Sequence, residues 1–352
     1  MKPVKTSLNF VESWVRPCRL PFKLTLSLTG RCNSRCLHCG IWKSGDKTDL
    51  PLPAVREIFR QYPHFSWIDI TGGEIFLRED LLEVIEIIIR NSRRLEYLHF
   101  PTNALCKNTL DRILEIRRMF RGKLVITISV DGDPKTNDRV RGIEGSFMKA
   151  AGLLRSLFEA GLPQTSVYAG MTLFAENAHA LPDTFRALYE TVPGFREKHL
   201  HVNFAHAASY YSNRNDLKPF AGGYDDIAFL AEKSGLSPFA LLEKAFRKLH
   251  GIYRATGKCP LPCRSGEVSL YIDNSGRLHP CTMWDIEGLP LETFGYDIKR
   301  AIVSPEFLRL LSIIHEAGCT HCFTACEAYQ TMLSSPVKTL GRIMSLKSGT
   351  RS

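Results

Sequence analysis

Residues 22–206 of this 352-residue chain predict an α/β fold. The expected architecture is a partial (β/α)6 barrel of TIM-like type, followed by a small cysteine-rich α+β unit. Two observations carry that expectation. Six short β-rich runs alternate with helical runs, and strands separated by helices pair in parallel through right-handed crossovers. A flat, doubly wound sheet satisfies the same alternation and stays open at this level.

The candidate strands lie at 22–29, 66–71, 97–102, 124–131, 165–173 and 200–205. Between them, Leu81, Leu82, Ile85, Ile88 and Ile89 recur at helical spacing, as do Leu153, Leu154, Leu157 and Phe158. Gly161 is placed to cap the second of these helices. Residues 1–21 read as an N-terminal extension, and 207–258 as a connector with helices near 225–234 and 238–256. Residues 259–330 read as a separate unit. It holds a hairpin whose arms are 268–273 and 277–281, turning at Asn274-Ser275-Gly276, and then a helix at 306–316. Residues 331–352 form a Ser/Lys-rich tail with the composition of a mobile segment.

Composition bounds the function. A hydrophobic share of 44% suffices for a large core, and 10% aromatic residues argue against a disordered chain. The net charge of +10 suits an anionic partner or a solvated basic surface alike. Four basic residues (Lys338, Arg342, Lys347 and Arg351) fall in the tail, which has no acid and is suited to touch an anionic membrane surface. Nothing points directly to nucleic acid. The most apolar run, 81–89, is interrupted by Glu83 and Glu86 and is too short to span a bilayer. The N-terminal residues lack the apolar core and cleavage site of a secretory signal. A cytoplasmic location is expected, where cysteines seldom form stable disulfides. Eleven cysteines therefore need another role.

Cys32, Cys36 and Cys39 follow the first strand with the spacing C-x3-C-x2-C. Soft thiolates select iron–sulfur clusters, zinc or copper(I). Iron–sulfur clusters usually take four cysteines, so three leave one iron open for a reacting ligand. The loop after a barrel strand is also where barrel enzymes place their active sites. A zinc knuckle, or three unpaired thiols, would share the bare spacing. Gly72-Gly73-Glu74 follows the second strand, Thr102-Asn103 the third, and Ser129-Val130-Asp131 ends the fourth, with Arg141 ten residues on. Paired glycines let backbone approach a ligand closely. Arg suits a carboxylate because its planar fork matches the two oxygens.

In this order, the motifs resemble those of the radical S-adenosylmethionine (SAM) superfamily, with His38 in the aromatic slot of its cysteine signature. The resemblance covers about 22–206. It implies a [4Fe–4S] cluster on Cys32, Cys36 and Cys39, with SAM at the open iron. It further implies that Gly72, Gly73 and Glu74 hold the SAM amino group, that Asn103, Ser129 and Asp131 face SAM, and that Arg141 binds its carboxylate.

The remaining cysteines form a second group. Cys263 and Cys281 bracket the hairpin as C-x12-G-x4-C, and Cys319-x2-Cys322 follows a helix. Two such pairs converging on one metal would suit zinc. The stretch from Asp273 to Cys281 is similar to the SPASM and Twitch domains that follow radical SAM barrels and bind auxiliary [4Fe–4S] clusters. A full SPASM domain has more cysteines downstream, whereas this chain has none after Cys326. The shorter Twitch-like form is therefore expected, with one cluster on Cys263, Cys281, Cys319 and Cys322. Cys259 and Cys326 are substitutes, or ligands to a second, incompletely bound cluster. Cys18 and Cys106 stand apart as ordinary thiols.

The implied reaction is reductive cleavage of SAM to a 5′-deoxyadenosyl radical, which abstracts hydrogen from a substrate, with flavodoxin or ferredoxin as reducing partner. No residue is singled out as catalytic. Asn203, His206, Tyr210 and Tyr211, at and after the sixth strand, are candidate substrate contacts, although a core or surface polar set looks the same in sequence. Peptide-modifying members of the superfamily often carry an added N-terminal domain, and strand one begins near Phe22. That tilts the expectation to a small biosynthetic intermediate over a peptide, protein or lipid-linked substrate. An iron–sulfur or zinc protein without catalysis is the alternative of another class. It leaves Glu74, Ser129, Asp131 and Arg141 unexplained.

Overall fold

The structure, a computed structural model, describes residues 20–218, 238–283, 285–316 and 322–348. The sequence expectation for a helix at 225–234 lies outside the described residues, as do Cys18 and Cys319.

Six strands alternate with helices: β1 (Lys23–Ser27), α1 (Leu52–Gln61), β2 (Trp67–Thr71), α2 (Leu81–Asn91), β3 (Tyr97–Thr102), α3 (Thr109–Met119) and β4 (Lys123–Ser129). Then come α4 (Pro134–Arg141), α5 (Ser146–Ala160), β5 (Thr165–Leu173), α6 (Leu181–Thr191) and β6 (Leu200–Phe204). The neighbour order β6-β5-β4-β3-β2-β1 is sequential, and every pairing is parallel. A doubly wound sheet reverses its strand order at a switch point. This sheet winds one way, as a partial barrel does.

Burial explains why the wall forms. β2, β3, β4 and β6 alternate buried and half-buried residues, the period of a strand. Ile68, Ile70, Leu98, Phe100, Leu124, Ile126 and Ile128 are wholly buried. They share one core with Val55, Ile58, Ile85, Ile88, Ile113 and Ile116 from the helices. The opposite faces are polar. Lys23 Nζ lies 3.1 Å from Asp69, and Asp69 lies 3.3 Å from His99 Nδ1. His99 Nε2 is in turn 3.0 Å from Thr127 Oγ1. A polar interior suits a site rather than a packed plug.

The C-terminal unit agrees with the sequence expectation in its hairpin and departs from it in its placement. The hairpin strands β7 (Ser269–Ile272) and β8 (Arg277–His279) pair antiparallel, as the turn residues imply. The expected separate unit, however, is continuous with the barrel wall: β7 adds in parallel to the free edge of β1, in register Lys23↔Ser269, and β9 (Leu289–Pro290) extends the same sheet. An unpaired β1 edge would leave backbone groups open, and β7 satisfies them.

α7 (Pro238–Thr256), α8 (Ile298–Ile302) and α9 (Pro305–Glu316) come before α10 (Ala325–Ser334) and α11 (Pro336–Ser348). The tail read as mobile is thus helical through residue 348. Thr331, Met332 and Ser334 lie buried in α10, and α11 starts on Pro336 and packs Ile343 against the core. Polar composition hid this, because two of the anchoring residues are threonine and serine. Among the described residues, no helix is long and apolar enough to cross a membrane.

Candidate functional site

The loop after β1 carries Cys32, Cys36 and Cys39. It is held from two sides by backbone. On one side, Gly73 N donates to Thr29 O (2.8 Å) and Glu74 N to Arg31 O (2.8 Å). On the other, Arg35 N donates to Arg141 O (2.9 Å) and Leu37 N to Val140 O (2.9 Å), at the end of α4. The role of the paired glycines follows from this. A Cβ on Gly73 would sit 2.0 Å from Arg31 O, and Gly72 has φ +134° with its Cβ position 2.5 Å from Thr29 O. The close approach that these glycines permit is to the cysteine loop itself.

Cys32, Cys36 and Cys39 line one cavity of about 190 Å3 with Gly72, Gly73, Glu74, Asn103, Ser129 and Arg141. Three loops, the end of β4 and the end of α4 therefore meet at the mouth. Burial pushes the Cys32 thiol up to about 11 and the Cys39 thiol up to about 12. Metal loading must release these protons.

Two expected SAM contacts behave differently from the sequence expectation. Asp131 is wholly buried and lies behind Arg141, which it pairs at 2.7 Å. It accepts from Thr172 N at 2.8 Å, so it orients the arginine and is absent from the cavity wall. Arg141 also reaches Cys36 Sγ at 3.4 Å, and its Nε has no partner among the described residues. Burial opposes its charge, but Asp131 together with Cys36 and Cys32 outweighs burial and holds the guanidinium protonated.

Glu74 lines the cavity, yet its oxygens already accept from Asn103 N (2.7 Å), Thr102 Oγ1 (3.1 Å) and Phe76 N (3.2 Å). Burial raises it to about 7 against the pull of those bonds. Asn103 Nδ2 donates to Asn33 Oδ1 at 2.7 Å, tying β3 to the cysteine loop. Burial keeps His38 neutral-leaning despite Asp131 at 3.8 Å.

Asn203, His206 and Tyr211 line the same cavity. Tyr210 turns away: its hydroxyl meets Thr71 Oγ1 at 2.6 Å, and its ring packs edge-on to Tyr271. Phe246, His250, Phe323 and Thr324 line the cavity without any signal in the sequence, since they come from distant helices and turns.

The second cysteine group assembles through one carboxylate. Glu327, buried in α10, accepts from Ser265 Oγ (2.6 Å), Thr282 N (3.1 Å) and Thr282 Oγ1 (3.0 Å). Those partners neighbour Cys263 and Cys281. Cys322 lies within electrostatic reach of both thiols, and burial, then Cys263, Glu327 and Cys281, push its own thiol well up. Cys259 interacts with Cys263. Cys326 departs from the group: its side chain lines the barrel cavity, and Lys23 Nζ donates to its carbonyl at 2.5 Å. Cys106, read as isolated, accepts from Asn33 Nδ2 at 3.6 Å beside the first loop. Among the described residues, no three His, Cys, Asp or Glu side chains gather on a point that would hold a single metal ion.

Comparison with known proteins agrees with this geometry. Residues 26–188 match the radical SAM superfamily, whose members use a [4Fe–4S] cluster and SAM. The antilisterial bacteriocin subtilosin biosynthesis protein AlbA of Bacillus subtilis (strain 168) is 24% identical over 281 residues, covering 76% of this chain and 56% of AlbA. The chain spans about half the length of the curated relatives it matches. Streptococcus suis SuiB bound to S-adenosylmethionine aligns with TM-score 0.58 at 14% identity, over 82% of this chain and 67% of SuiB. Native anSMEcpe with bound AdoMet and the Cp18Cys peptide aligns with TM-score 0.55 at 12% identity, over 94% of this chain and 99% of that one. Such identities show a shared fold.

Proposed function

From the premise that residues 26–188 are a radical SAM domain, we propose that this protein cleaves SAM reductively and directs the resulting radical at a peptide side chain. The carrying observation is the convergence of three thiols, the glycine pair, Ser129 and Arg141 on one cavity. The donor set fits the group: Cys32, Cys36 and Cys39 would hold a [4Fe–4S] cluster with one iron open. When bound, the cluster supplies the electron that splits SAM into methionine and a 5′-deoxyadenosyl radical. Arg141, aimed by Asp131, supplies a fixed cation for the SAM carboxylate. Glu74 holds Asn103 and the loop after β2 in place by accepting two backbone N–H bonds and one hydroxyl. Phe246 and His250 of α7, with Phe323 and Thr324, form part of the cavity wall, which would limit the access of water to a radical.

Cys263, Cys281 and Cys322, with Cys319, would hold an auxiliary cluster, and Glu327 ties together the segments beside Cys263 and Cys281 through Ser265 and Thr282. That cluster would take an electron from the substrate or bind it. The peptide reading rests on AlbA, whose name places it in bacteriocin biosynthesis and which matches 76% of this chain. A small biosynthetic intermediate is the second reading, favoured by the modest cavity of about 190 Å3. Flavodoxin or ferredoxin would deliver the electron.

The test is anaerobic reconstitution, iron and sulfide counting, and addition of dithionite and SAM. About eight irons per chain and formation of 5′-deoxyadenosine are expected. Zinc without nucleoside product would leave a non-catalytic metal protein.

A further inference from the structure

The cavity has two unlike ends. Under the cysteine loop, Glu74 and Arg141 bring formal charges to the wall. The aromatic end of the lining comes from β6, α7 and the turn before α10, and its rings are in contact. Phe204 stacks on His250 at 4.7 Å and 10°, and Phe246 on Phe323 at 5.6 Å and 18°. Burial brings His206 down to about 4 and His250 to about 3, with Arg254 adding to both, so neither ring is charged near neutrality.

A hydroxyl at this end is unused. Thr324 is buried, its residue only 6% exposed, and its hydroxyl has no hydrogen-bond partner among the described residues. A buried hydroxyl without a partner is costly, and a ligand atom would relieve it. Asn203 stands at the same end with an amide able to donate or accept.

We propose that this end is the substrate subsite and that it takes an uncharged aromatic side chain of a peptide, with the Thr324 hydroxyl bonding a polar atom of the same residue. The inference rests on the radical SAM reading and names what the radical meets. A charged side chain would lose its hydration here, and the lining residues from β6, α7 and the turn before α10 include no Asp, Glu, Lys or Arg. An aromatic ring gains offset or edge contacts with the phenylalanines beyond simple burial. The reaction it serves breaks one C–H bond of that residue and forms one C–H bond at the 5′ carbon, after one electron from the reductant has cleaved SAM.

The experiment uses the full, reconstituted chain with SAM, dithionite and one of four perdeuterated N-acetyl amino-acid amides: phenylalanine, leucine, aspartate or lysine. Mass spectrometry of 5′-deoxyadenosine reads deuterium transfer. The phenylalanine amide is expected to label the product at least about tenfold more than either charged amide, and more than leucine. Equal labelling by a charged amide, or leucine equal to phenylalanine, overturns the assignment. Unlabelled 5′-deoxyadenosine with every amide also overturns it while leaving SAM cleavage standing. No 5′-deoxyadenosine at all removes the functional reading beneath it.

Two near-isosteric variants, checked for wild-type iron content, sharpen the result. Thr324→Val should raise the half-saturating phenylalanine amide concentration about tenfold, and no change would remove Thr324 from the proposal. Asn203→Asp should shift the phenylalanine-to-lysine labelling ratio toward lysine by about tenfold. An unshifted ratio would place the probe elsewhere.

Discussion

The two cysteine groups are held in opposite ways. The first spans eight residues of one loop and is fixed by backbone hydrogen bonds to the turn after β2 and the end of α4. The second draws on residues from Cys259 to Cys322 and is gathered around the side chain of Glu327. A backbone-held loop depends on what is missing, since any Cβ at Gly73 strikes Arg31. A side-chain-held group depends on one charge remaining in place. Added bulk at Gly73 threatens the first group, and a lost acceptor at Glu327 the second.

The largest effect is expected from replacing Cys32, Cys36 and Cys39 together with alanine. 5′-Deoxyadenosine formation should vanish while about four irons remain at the C-terminal site, read by iron analysis and chromatography. SAM cleavage at the wild-type rate in that variant would refute the first site. Gly73→Ala comes next: the loop must move, so the first cluster should be lost with a thermal shift equivalent to about 3 kcal/mol.

Asp131→Asn leaves Arg141 buried without its counter-charge, a change that costs about 3–5 kcal/mol when such a pair is broken. It should also raise the SAM concentration needed for half-maximal cleavage. A variant with unchanged SAM dependence would show that Arg141 is aimed by other contacts. Glu327→Gln should act only on the second group, halving the iron content. Electron paramagnetic resonance of the reduced protein should show the SAM-responsive signal retained.

The smallest effect concerns pH. The folded state holds His206 near 4 and His250 near 3, below the unfolded value of 6.5. The unfolded chain therefore binds more protons in that window, and stability present above pH 6.5 is lost as pH falls toward 4. The limiting slope is about 1.4 kcal/mol per pH unit for each histidine. Urea midpoints at pH 7 and pH 5 should show the drop, and His206→Asn should flatten it. A flat wild-type profile would place both rings in water.

How much of this was legible in the sequence follows the same division. β3 and β5 have the limits that alternation implies, because period-2 patterning is local. The order of the cysteines, Gly72-Gly73-Glu74, Ser129 and Arg141 was readable as a barrel mouth, since each follows its own strand. The roles within the mouth were less so. Asp131 and Ser129 sit two residues apart on one strand end, yet one is buried behind Arg141 and the other lines the cavity. The sequence offers Cys326 as a substitute ligand or a ligand to a second cluster, yet Cys326 lines the barrel cavity while Cys322 lies within reach of Cys263 and Cys281.

The amino-acid sequence by itself determined the strand–helix alternation, the first cysteine loop and the hairpin turn. These depend on residues within a few positions of one another, where φ/ψ preferences and side-chain periodicity decide. Only the tertiary structure decided that β7 completes the barrel edge, that Glu327 organises the second thiols, and that Phe246, Phe323 and Thr324 face the cysteine loop. Those contacts join segments up to some three hundred residues apart, and no local propensity records which distant surface will bury them.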